Sequence, residues 1–261
     1  MKIFKIFNYL QYILFSGHRK GHGIHSPFIF QVVSELFRNK IDSDIVCIIE
    51  NARKKLLSDK RTIKVNDLGA GQFRKKKLRK VSDIVKNSAI SQKYGILLSN
   101  FASSFGENGV VELGTSLGIS TMYLALSNKK SQVYSIEGCP LCASIAANSF
   151  MQANITNIEL ITGSFDDSVS KILERGVKPG LVFIDGDHRK ESVERYFNIF
   201  LKSADNETVF IFDDIHDSAE MNDAWHTIIN NEHVTATIDL HRMGIVFLKK
   251  GITKKSYIVR F

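Results

Sequence analysis

Two segments of the chain place carboxylates and histidines directly after apolar runs. The segments are LVFIDGDH, residues 181–188, and VFIFDDIH, residues 209–216. Carboxylates this dense repel one another, and a divalent cation such as Mg²⁺ would offset the repulsion because it prefers oxygen ligands. The segments therefore predict a cation site built from these carboxylates.

The elements that would position these residues follow an alternating pattern from residue 109 onward. Apolar runs lie at 110–113, 133–136, 158–161, 181–184 and 209–212, with helical patterns at 119–127, 140–153, 166–175 and 189–203. This alternation predicts parallel βαβ units with helices on both faces of a sheet. Residues 234–240 and 245–249 predict a closing hairpin, so that one strand runs antiparallel.

The acidic segments are expected to converge, because ligands of an open parallel sheet bind beyond the carboxyl ends of its strands. A different role is also open for part of this set. Asp187 or Asp214 could cap the helix that follows each strand.

Two glycine-bearing turns could hold a nucleotide-like cofactor, VNDLGAGQF at 65–73 and VVELGTSLGIS at 110–120. Such a turn lies between a strand and a helix, with an acid at the end of the next strand to bind ribose. The first turn is followed by a basic segment with no apolar helix face and no acid, so it is predicted to be a loop or lid in which Asp67 could face the site. The second is followed by an amphipathic helix and by a strand ending at Glu137, and it is the predicted cofactor turn.

The spacing of the second turn limits the cofactor. Gly114 and Gly118 form GxxxG, whereas dinucleotide binding uses GxGxxG, and the chain has no GxxxxGK[ST] phosphate loop. A wider turn suits a ligand without phosphates, such as S-adenosylmethionine, with Glu112 near its amino group and Glu137 near its ribose. Many parallel sheets also turn through glycine, so the pattern alone leaves a purely structural turn open.

The motifs ELGTSLGIST, SIEG, ITGSFDD, FIDGDH and FDDIH, in this order, resemble those of the class I S-adenosylmethionine-dependent methyltransferases. Within that class the chain is similar to the metal-dependent O-methyltransferases of the catechol type. It is more similar to a bacterial group with DGDH and DDIH strand ends and a GHGIHSPF-like loop. The resemblance covers residues 109–249 well and 17–105 more loosely. It implies an α/β fold with a Rossmann-like seven-stranded, mostly parallel sheet, an antiparallel last strand and an N-terminal helical extension.

The resemblance also implies an activity and a set of site residues. The activity is S-adenosylmethionine-dependent O-methylation of a small-molecule hydroxyl, assisted by Mg²⁺ or another divalent cation. Catechol-type enzymes usually have an asparagine where Asp214 stands and a lysine base where His188 stands, so the base stays open between His188 and Asp185. The implied cofactor contacts are Glu112, Gly114, Ser116, Gly118, Ser120 and Glu137, with Ser164 and Phe165 beside the adenine, and the implied metal ligands are Asp185, Asp213 and Asp214.

Length and cysteine content set the wider expectations. The chain has 261 residues, 44% hydrophobic and 24% charged. We expect a helical extension over 1–60, lid or linker helices over 61–108 and the core over 109–261. Its 3 cysteines, an odd number, favour a reducing compartment and a cytoplasmic location. The CPLC segment at 139–142 predicts two ordinary thiols at a helix start, because a second CxxC pair is missing from the sequence.

The charge keeps two other functions open. The net charge is +8, concentrated at 53–55 and 74–80. Basic clusters could hold RNA, with a nucleoside hydroxyl as the acceptor, although no recognised RNA-binding module is present. The (N/D)PP(Y/F) motif of enzymes that methylate amino groups is also missing. A cofactor-binding or scaffold protein without turnover is the second alternative.

The N-terminal segment MKIFKIFNYLQYILF predicts an amphipathic helix. Polar residues at every third position from Lys2 to Gln11 interrupt its apolar run, so neither a transmembrane segment nor a signal peptide is expected. Its stripe of Phe4, Phe7, Tyr12 and Phe15 is typical of core packing or of a homodimer contact. The histidine-rich loop at 17–27 is predicted to be structural or substrate-contacting, and Trp225 is predicted to be a packing residue.

Overall fold

The computed structural model describes residues 2–18, 21–65 and 77–261, which form helices and short strands in alternation. The helices are α1 (Lys2–Phe15), α2 (Pro27–Gln31, continued by a π-helical turn at Val32–Leu36), α3 (Ser43–Ser58), α4 (Val81–Ser88), α5 (Gln92–Phe105), α6 (Ile119–Leu126), α7 (Pro140–Gln152), α8 (Phe165–Glu174), α9 (Lys190–Leu201) and α10 (Ala219–Asn230). The strands are β1 (Thr62–Val65), β2 (Lys77–Lys80), β3 (Val110–Leu113), β4 (Val133–Glu137), β5 (Ile158–Thr162), β6 (Leu181–Ile184), β7 (Val209–Phe212), β8 (Ala236–Asp239), β9 (Gly244–Phe247) and β10 (Lys255–Ile258).

The contacts between these elements divide the chain into two compact units. Residues 40–179 form the central unit, and residues 2–39 together with 180–261 form the terminal unit. In the central unit β3 and β5 both pair in parallel with β4. All four residues of β3 are buried, as expected for a parallel strand covered on both faces. Separately, β1 and β2 pair antiparallel.

Helix α6 is the innermost helix of the central unit. All eight of its residues are buried, and six of them, in the sequence ISTMYLAL, are hydrophobic. It packs closely on α5 because Gly95 lacks a side chain. A Cβ at Gly95 would lie 2.3 Å from the ring of Tyr123.

The terminal unit contains five strands in the order β6-β7-β9-β8-β10. The β6–β7 and β8–β10 pairs are parallel, whereas β9 runs antiparallel to both β7 and β8. The predicted α/β class, the parallel strands and the closing hairpin are therefore confirmed. β10, with the polar sequence KSYI, was not predicted. With it, β3 to β10 make eight strands in the described residues, where the sequence predicted seven.

Trp225 fills the space above the closing hairpin. Trp225 belongs to α10 and its side chain is buried. A Cβ at Gly244 would lie 2.5 Å from the Trp225 ring. The predicted packing role of Trp225 is confirmed.

Helix α1 is attached to the terminal unit through Tyr12. The Tyr12 hydroxyl donates to the carbonyl of Val259 at 2.8 Å and accepts from the backbone N–H of Phe261 at 3.0 Å. Phe7 and Phe15, in the same predicted stripe, remain exposed. A homodimer through this helix stays a prediction. Within the described ranges, every helix is too short or too polar to cross a lipid bilayer.

The histidine-rich loop has a structural arrangement where it is described. Gly17 forms a parallel bridge with Val259, His18 Nδ1 lies 2.9 Å from the carbonyl of His22, and Ser26 caps α2. These contacts are consistent with the prediction of a structural loop.

Candidate functional site

The predicted cofactor turn joins β3 to α6 and depends on left-handed backbone conformations. Gly114 has φ 108°, Ser116 has φ 50° and Gly118 has φ 87°. The N–H groups of Gly114 and Thr115 both donate to the carbonyl of Ile136 on the next strand, at 3.0 and 3.2 Å. The backbone of the turn is therefore fixed against β4 before any ligand binds.

Glu137, at the end of β4, is held by two backbone groups. The N–H of Ser116 donates to its Oε2 and the N–H of Cys139 to its Oε1, both at 2.7 Å. A carboxylate oxygen can accept more than one hydrogen bond, so each oxygen keeps the capacity to bind a hydroxyl. The half-exposed carboxylate is thus fixed beside the glycine turn, as the sequence analysis expects of a ribose ligand.

Replacing Glu137 by glutamine tests this arrangement. The amide nitrogen cannot accept from a backbone N–H, so we expect the affinity for S-adenosylmethionine to fall about 10- to 100-fold, or about 1.4–2.8 kcal/mol. Isothermal titration calorimetry measures the effect. Glu159→Gln is the matched control, because Glu159 lies on β5 and forms an exposed pair with Arg175. Equal affinities of the two variants would contradict a ribose-binding role for Glu137.

Glu112, on β3, is completely buried. Thr121 Oγ1 and Ser135 Oγ both donate to its Oε2 at 2.5 Å, and the Ser120 hydroxyl also interacts with it. Burial raises the pKa of Glu112, and these three hydroxyls oppose that rise. Its Oε1 has no partner among the described residues. The carboxylate therefore fixes the first turn of α6, and its contact with the cofactor amino group stays a prediction.

Ser164 and Phe165 lie where β5 leads into α8. Ser164 is the N-cap of that helix: its Oγ accepts from the N–H of Asp167 at 3.2 Å and donates to Asp167 Oδ2 at 2.7 Å. Phe165, the first helical residue, is half-buried. Capping accounts for Ser164, and the contact of both residues with adenine stays a prediction.

In the terminal unit the ends of β6 and β7 bring the two acidic segments together. Ile184 is paired with Phe212, and the N–H of Asp213 donates to the carbonyl of Ile184 at 3.0 Å. Asp185 and Asp213 therefore follow residues that face each other across two neighbouring strands, as predicted. His188 Nε2 lies 3.9 Å from Asp185 Oδ1, within the range of an ion pair when the imidazole is protonated.

Arg242, on the turn between β8 and β9, is a residue of this site that the sequence pattern does not indicate. Its Nε lies 3.0 Å from Asp213 Oδ1 and its Nη2 lies 2.7 Å from Asp213 Oδ2, a two-pronged ion pair with a carboxylate that is only 1% exposed. Arg242 Nε is also 3.7 Å from Asp214 Oδ1. Burial opposes the charge of the guanidinium, but Asp213, Asp214 and Asp185 outweigh it and raise the pKa of Arg242.

Asp214 is protonated more easily than an exposed aspartate. Burial, and then the charge of Asp213, raise the pKa of Asp214 to about 6, while His188 and Arg242 oppose the rise. At neutral pH its carboxylate is therefore ionised less completely than an exposed aspartate would be.

The predicted metal ligands Asp185, Asp213 and Asp214 do not fit a divalent cation in this arrangement. Both carboxylate oxygens of Asp213 are paired with the guanidinium of Arg242. This positive charge offsets the repulsion between the carboxylates, which was the reason for predicting a metal. In the ranges that the structure describes, no three acidic, histidine or cysteine side chains are grouped so that they could hold a metal ion.

Helix capping does not explain the acidic segments either. Asp187 forms a two-pronged pair with Arg189, both contacts at 2.6 Å, and α9 begins after Arg189 without a side-chain cap. Helix α10 is capped by Ser218. Asp187 and Asp214 both have positive φ, 52° and 55°, a strained conformation of the kind that is concentrated at functional sites.

The rings of Tyr9, His216 and His241 form a group next to Arg242 that the sequence pattern does not indicate. His216 bonds Asn222 Oδ1 through Nδ1 and Asp239 Oδ2 through Nε2, each at 2.7 Å. Its ring lies 5.6 Å from that of His241, which is 5.2 Å from the ring of Tyr9. Burial would lower the pKa of His216, but Asp239 raises it above the ordinary value. These residues were missed because they are distant from one another in sequence.

Other features marked by the sequence stand apart from this chemistry. Cys139 and Cys142 are buried at the start of α7, and burial raises the pKa of the Cys142 thiol, which fits ordinary thiols. A groove of about 560 Å³ beside β2 and α4 is lined in part by Arg79, Lys80 and Asp83, and no predicted site residue lines it. Residues 66–76, which include Asp67 of the first glycine turn and residues 74–76 of the basic cluster, lie outside the described residues.

Residues 111–215 match a protein family described as "Methyltransferase domain". A catechol O-methyltransferase of Niastella koreensis is 27% identical over 130 residues, which are 49% of this chain and 58% of that protein. The uncharacterized protein R132 of Acanthamoeba polyphaga mimivirus is 27% identical over 133 residues, covering 46% of this chain and 58% of that protein. The chain thus matches less than two thirds of the length of each relative.

Solved structures share the fold over a larger part of the chain. The O-methyltransferase of Bacillus cereus in complex with SAH is 20% identical with a TM-score of 0.56, covering 84% of this chain and 97% of that one. The O-methyltransferase TomG of Streptomyces achromogenes, involved in tomaymycin synthesis and in complex with SAM, is 18% identical with a TM-score of 0.52, covering 85% and 95%. At these identities the likeness establishes the fold.

Proposed function

We propose that this chain is a class I S-adenosylmethionine-dependent methyltransferase that transfers a methyl group from S-adenosylmethionine to a hydroxyl oxygen of a small molecule. The observation that carries the proposal is the Glu137 carboxylate, held by two backbone N–H groups beside a turn with left-handed residues at 114, 116 and 118. The matched relative named as a catechol O-methyltransferase supports oxygen as the acceptor atom.

The reaction is an in-line displacement with a simple balance. The acceptor oxygen forms a bond to the methyl carbon while the carbon–sulfur bond breaks, and the sulfonium becomes the neutral thioether of S-adenosylhomocysteine. The hydroxyl proton passes to a base. The enzyme must therefore align the acceptor oxygen with the methyl group and make that oxygen nucleophilic.

Residues at the ends of β3, β4 and β5 would bind the donor. Glu137 would accept hydrogen bonds from the ribose hydroxyls, and the turn at 114–118 would let the methionine portion lie close to the backbone. Phe165 would border the adenine. These are the roles that the sequence predicts for the same residues.

Residues at the ends of β6 and β7 would act on the acceptor. His188, whose side chain is 39% exposed, is accessible to a hydroxyl group and would take its proton. Asp185, 3.9 Å away, would stabilise the imidazolium that forms. The rings of Tyr9, His216 and His241, next to Arg242 on the hairpin turn, favour a planar acceptor such as a phenol.

The test is the formation of S-adenosylhomocysteine with a panel of catechols, simple phenols and aliphatic alcohols. We expect turnover with at least one hydroxyl compound, and a loss of about 10²–10⁴-fold in His188→Gln. His233→Gln is the matched control, because His233 lies 3.8 Å from Glu232 in an exposed pair of the same unit. Failure to bind S-adenosylmethionine, with no product from any acceptor, would contradict the proposal.

The same assay separates the RNA alternative from a small-molecule acceptor. An RNA acceptor would give turnover that falls steeply as salt rises, because phosphate contacts release counterions. We expect no such acceptor activity from RNA oligonucleotides. Cofactor binding without turnover on either class of acceptor would favour the non-catalytic alternative.

We also propose a cytoplasmic site of action. The three cysteines of the chain, all within the described residues, form no disulfide. Thiols left reduced are typical of a reducing compartment.

A further inference from the structure

We infer that the guanidinium of Arg242 takes the place of a divalent cation in this enzyme, so that methyl transfer proceeds without a metal. The inference rests on the proposed function. The resemblance to the catechol-type enzymes implies a metal bound by the acidic residues. The contacts that these residues make here do not fit one.

The first step is the pairing of Asp213. Both of its carboxylate oxygens lie within 3.0 Å of Arg242 nitrogens, and the carboxylate is almost fully buried. An ion pair of this geometry has strong, directional hydrogen bonds. A cation bound through Asp213 would lie beside the guanidinium of Arg242, where the two positive charges would repel each other.

The second step is the backbone that carries Arg242. The N–H of Ile215, just beyond β7, donates to the carbonyl of Arg242 at 3.1 Å. The N–H of Leu240 donates to the carbonyl of Met243 at 2.9 Å and closes the turn. Arg242 is therefore fixed at the end of β7 by main-chain bonds as well as by its side chain.

The third step is charge. The guanidinium of Arg242 lies beside the carboxylates of Asp213 and Asp214, and an arginine side chain stays positively charged in proteins. A fixed positive charge stabilises the negative charge that develops on an oxygen losing its proton. The side chain keeps 32% of its surface exposed, so its charge is accessible to an acceptor.

The first experiment measures the metal requirement of the wild-type chain. Methyl transfer is followed with excess chelator and with added Mg²⁺, and binding of Mn²⁺ is measured by electron paramagnetic resonance. We expect turnover to change less than about twofold and Mn²⁺ not to bind at micromolar concentration. Loss of turnover with chelator, restored by Mg²⁺, would overturn the inference while leaving methyl transfer intact. Mn²⁺ binding that Asp185→Asn removes would overturn it even without a known acceptor.

The second experiment varies the charge. Arg242→Lys should retain at least about a tenth of wild-type turnover, whereas Arg242→Gln should lose about 100-fold or more in kcat. Because Arg242→Gln leaves a buried carboxylate unpaired and could unfold, the double variant Asp213→Asn/Arg242→Gln removes the cation without leaving a buried charge. It should bind S-adenosylmethionine like the wild type and show the same loss in kcat.

Arg175→Gln is the control, since Arg175 forms an exposed pair with Glu159 in the central unit, and its kcat should be unchanged. Wild-type kcat in the double variant would overturn the role of Arg242. Loss of S-adenosylmethionine binding by the wild-type chain would instead overturn the proposed function.

Discussion

Replacement of Gly118 by alanine is expected to abolish measurable binding of S-adenosylmethionine and to lower the free energy of unfolding by about 2–5 kcal/mol. Gly118 has φ 87°, a conformation that costs a residue with a Cβ about 1–2 kcal/mol. The added Cβ would also lie 2.6 Å from the ring of Phe150 and 3.1 Å from Ala146. Relieving that overlap in a packed core adds about 1–3 kcal/mol and displaces the turn that would hold the cofactor.

Gly176→Ala separates the two causes. Gly176 has φ 78°, but a Cβ there would meet no atom within 4 Å, so only the backbone cost of about 1–2 kcal/mol remains. Urea unfolding followed by circular dichroism measures both variants, and calorimetry measures the cofactor affinity. The double variant Gly118→Ala/Phe150→Leu should recover part of the stability. Equal losses in the two alanine variants would show that the contact with Phe150 does not matter.

Replacement of Asp185 by alanine is expected to reduce turnover about 10²–10⁴-fold while the affinity for S-adenosylmethionine stays within about twofold. Asp185 is the carboxylate nearest to His188, at 3.9 Å, and without it the imidazolium formed during proton transfer loses its counter-charge. Asp185 also belongs to the acidic group around Arg242. Steady-state kinetics with the best acceptor, and calorimetry with the cofactor, give the two quantities separately.

Asp217→Ala is the control for the loss of one negative charge. Asp217 lies in the same unit, is largely exposed and pairs with Lys5. Its removal should leave kcat within about twofold. A similar fall in both variants would mean that net charge, and not the position of Asp185, determines turnover.

The strand and helix pattern could be predicted because it is written in local periodicity. Buried parallel strands are continuous apolar runs such as VVEL and LVFI, and the helices between them repeat every three to four residues. β10 was missed because KSYI, with two of its four residues exposed, has no apolar run. Its pairing with β8 is a tertiary contact that local pattern does not encode.

The site could be predicted only in part, for a similar reason. The neighbouring positions of Asp185 and Asp213 follow from the register of two adjacent parallel strands. The partner of Asp213 is 29 residues further along the chain, on a turn where an arginine would ordinarily face solvent. The sequence does not show which positive group neutralises these carboxylates. A metal was therefore predicted at the position where the structure has Arg242.

The bonds of Tyr12 to Val259 and Phe261 bear on how the protein forms during synthesis. They join residues about 247 positions apart, whereas the central unit is one continuous stretch, residues 40–179. At a translation rate of about 5–20 residues per second, α1 waits about 12–50 seconds after it is made before its partners emerge. Over that interval its apolar side chains are open to chaperones, while the central unit can already fold on the ribosome.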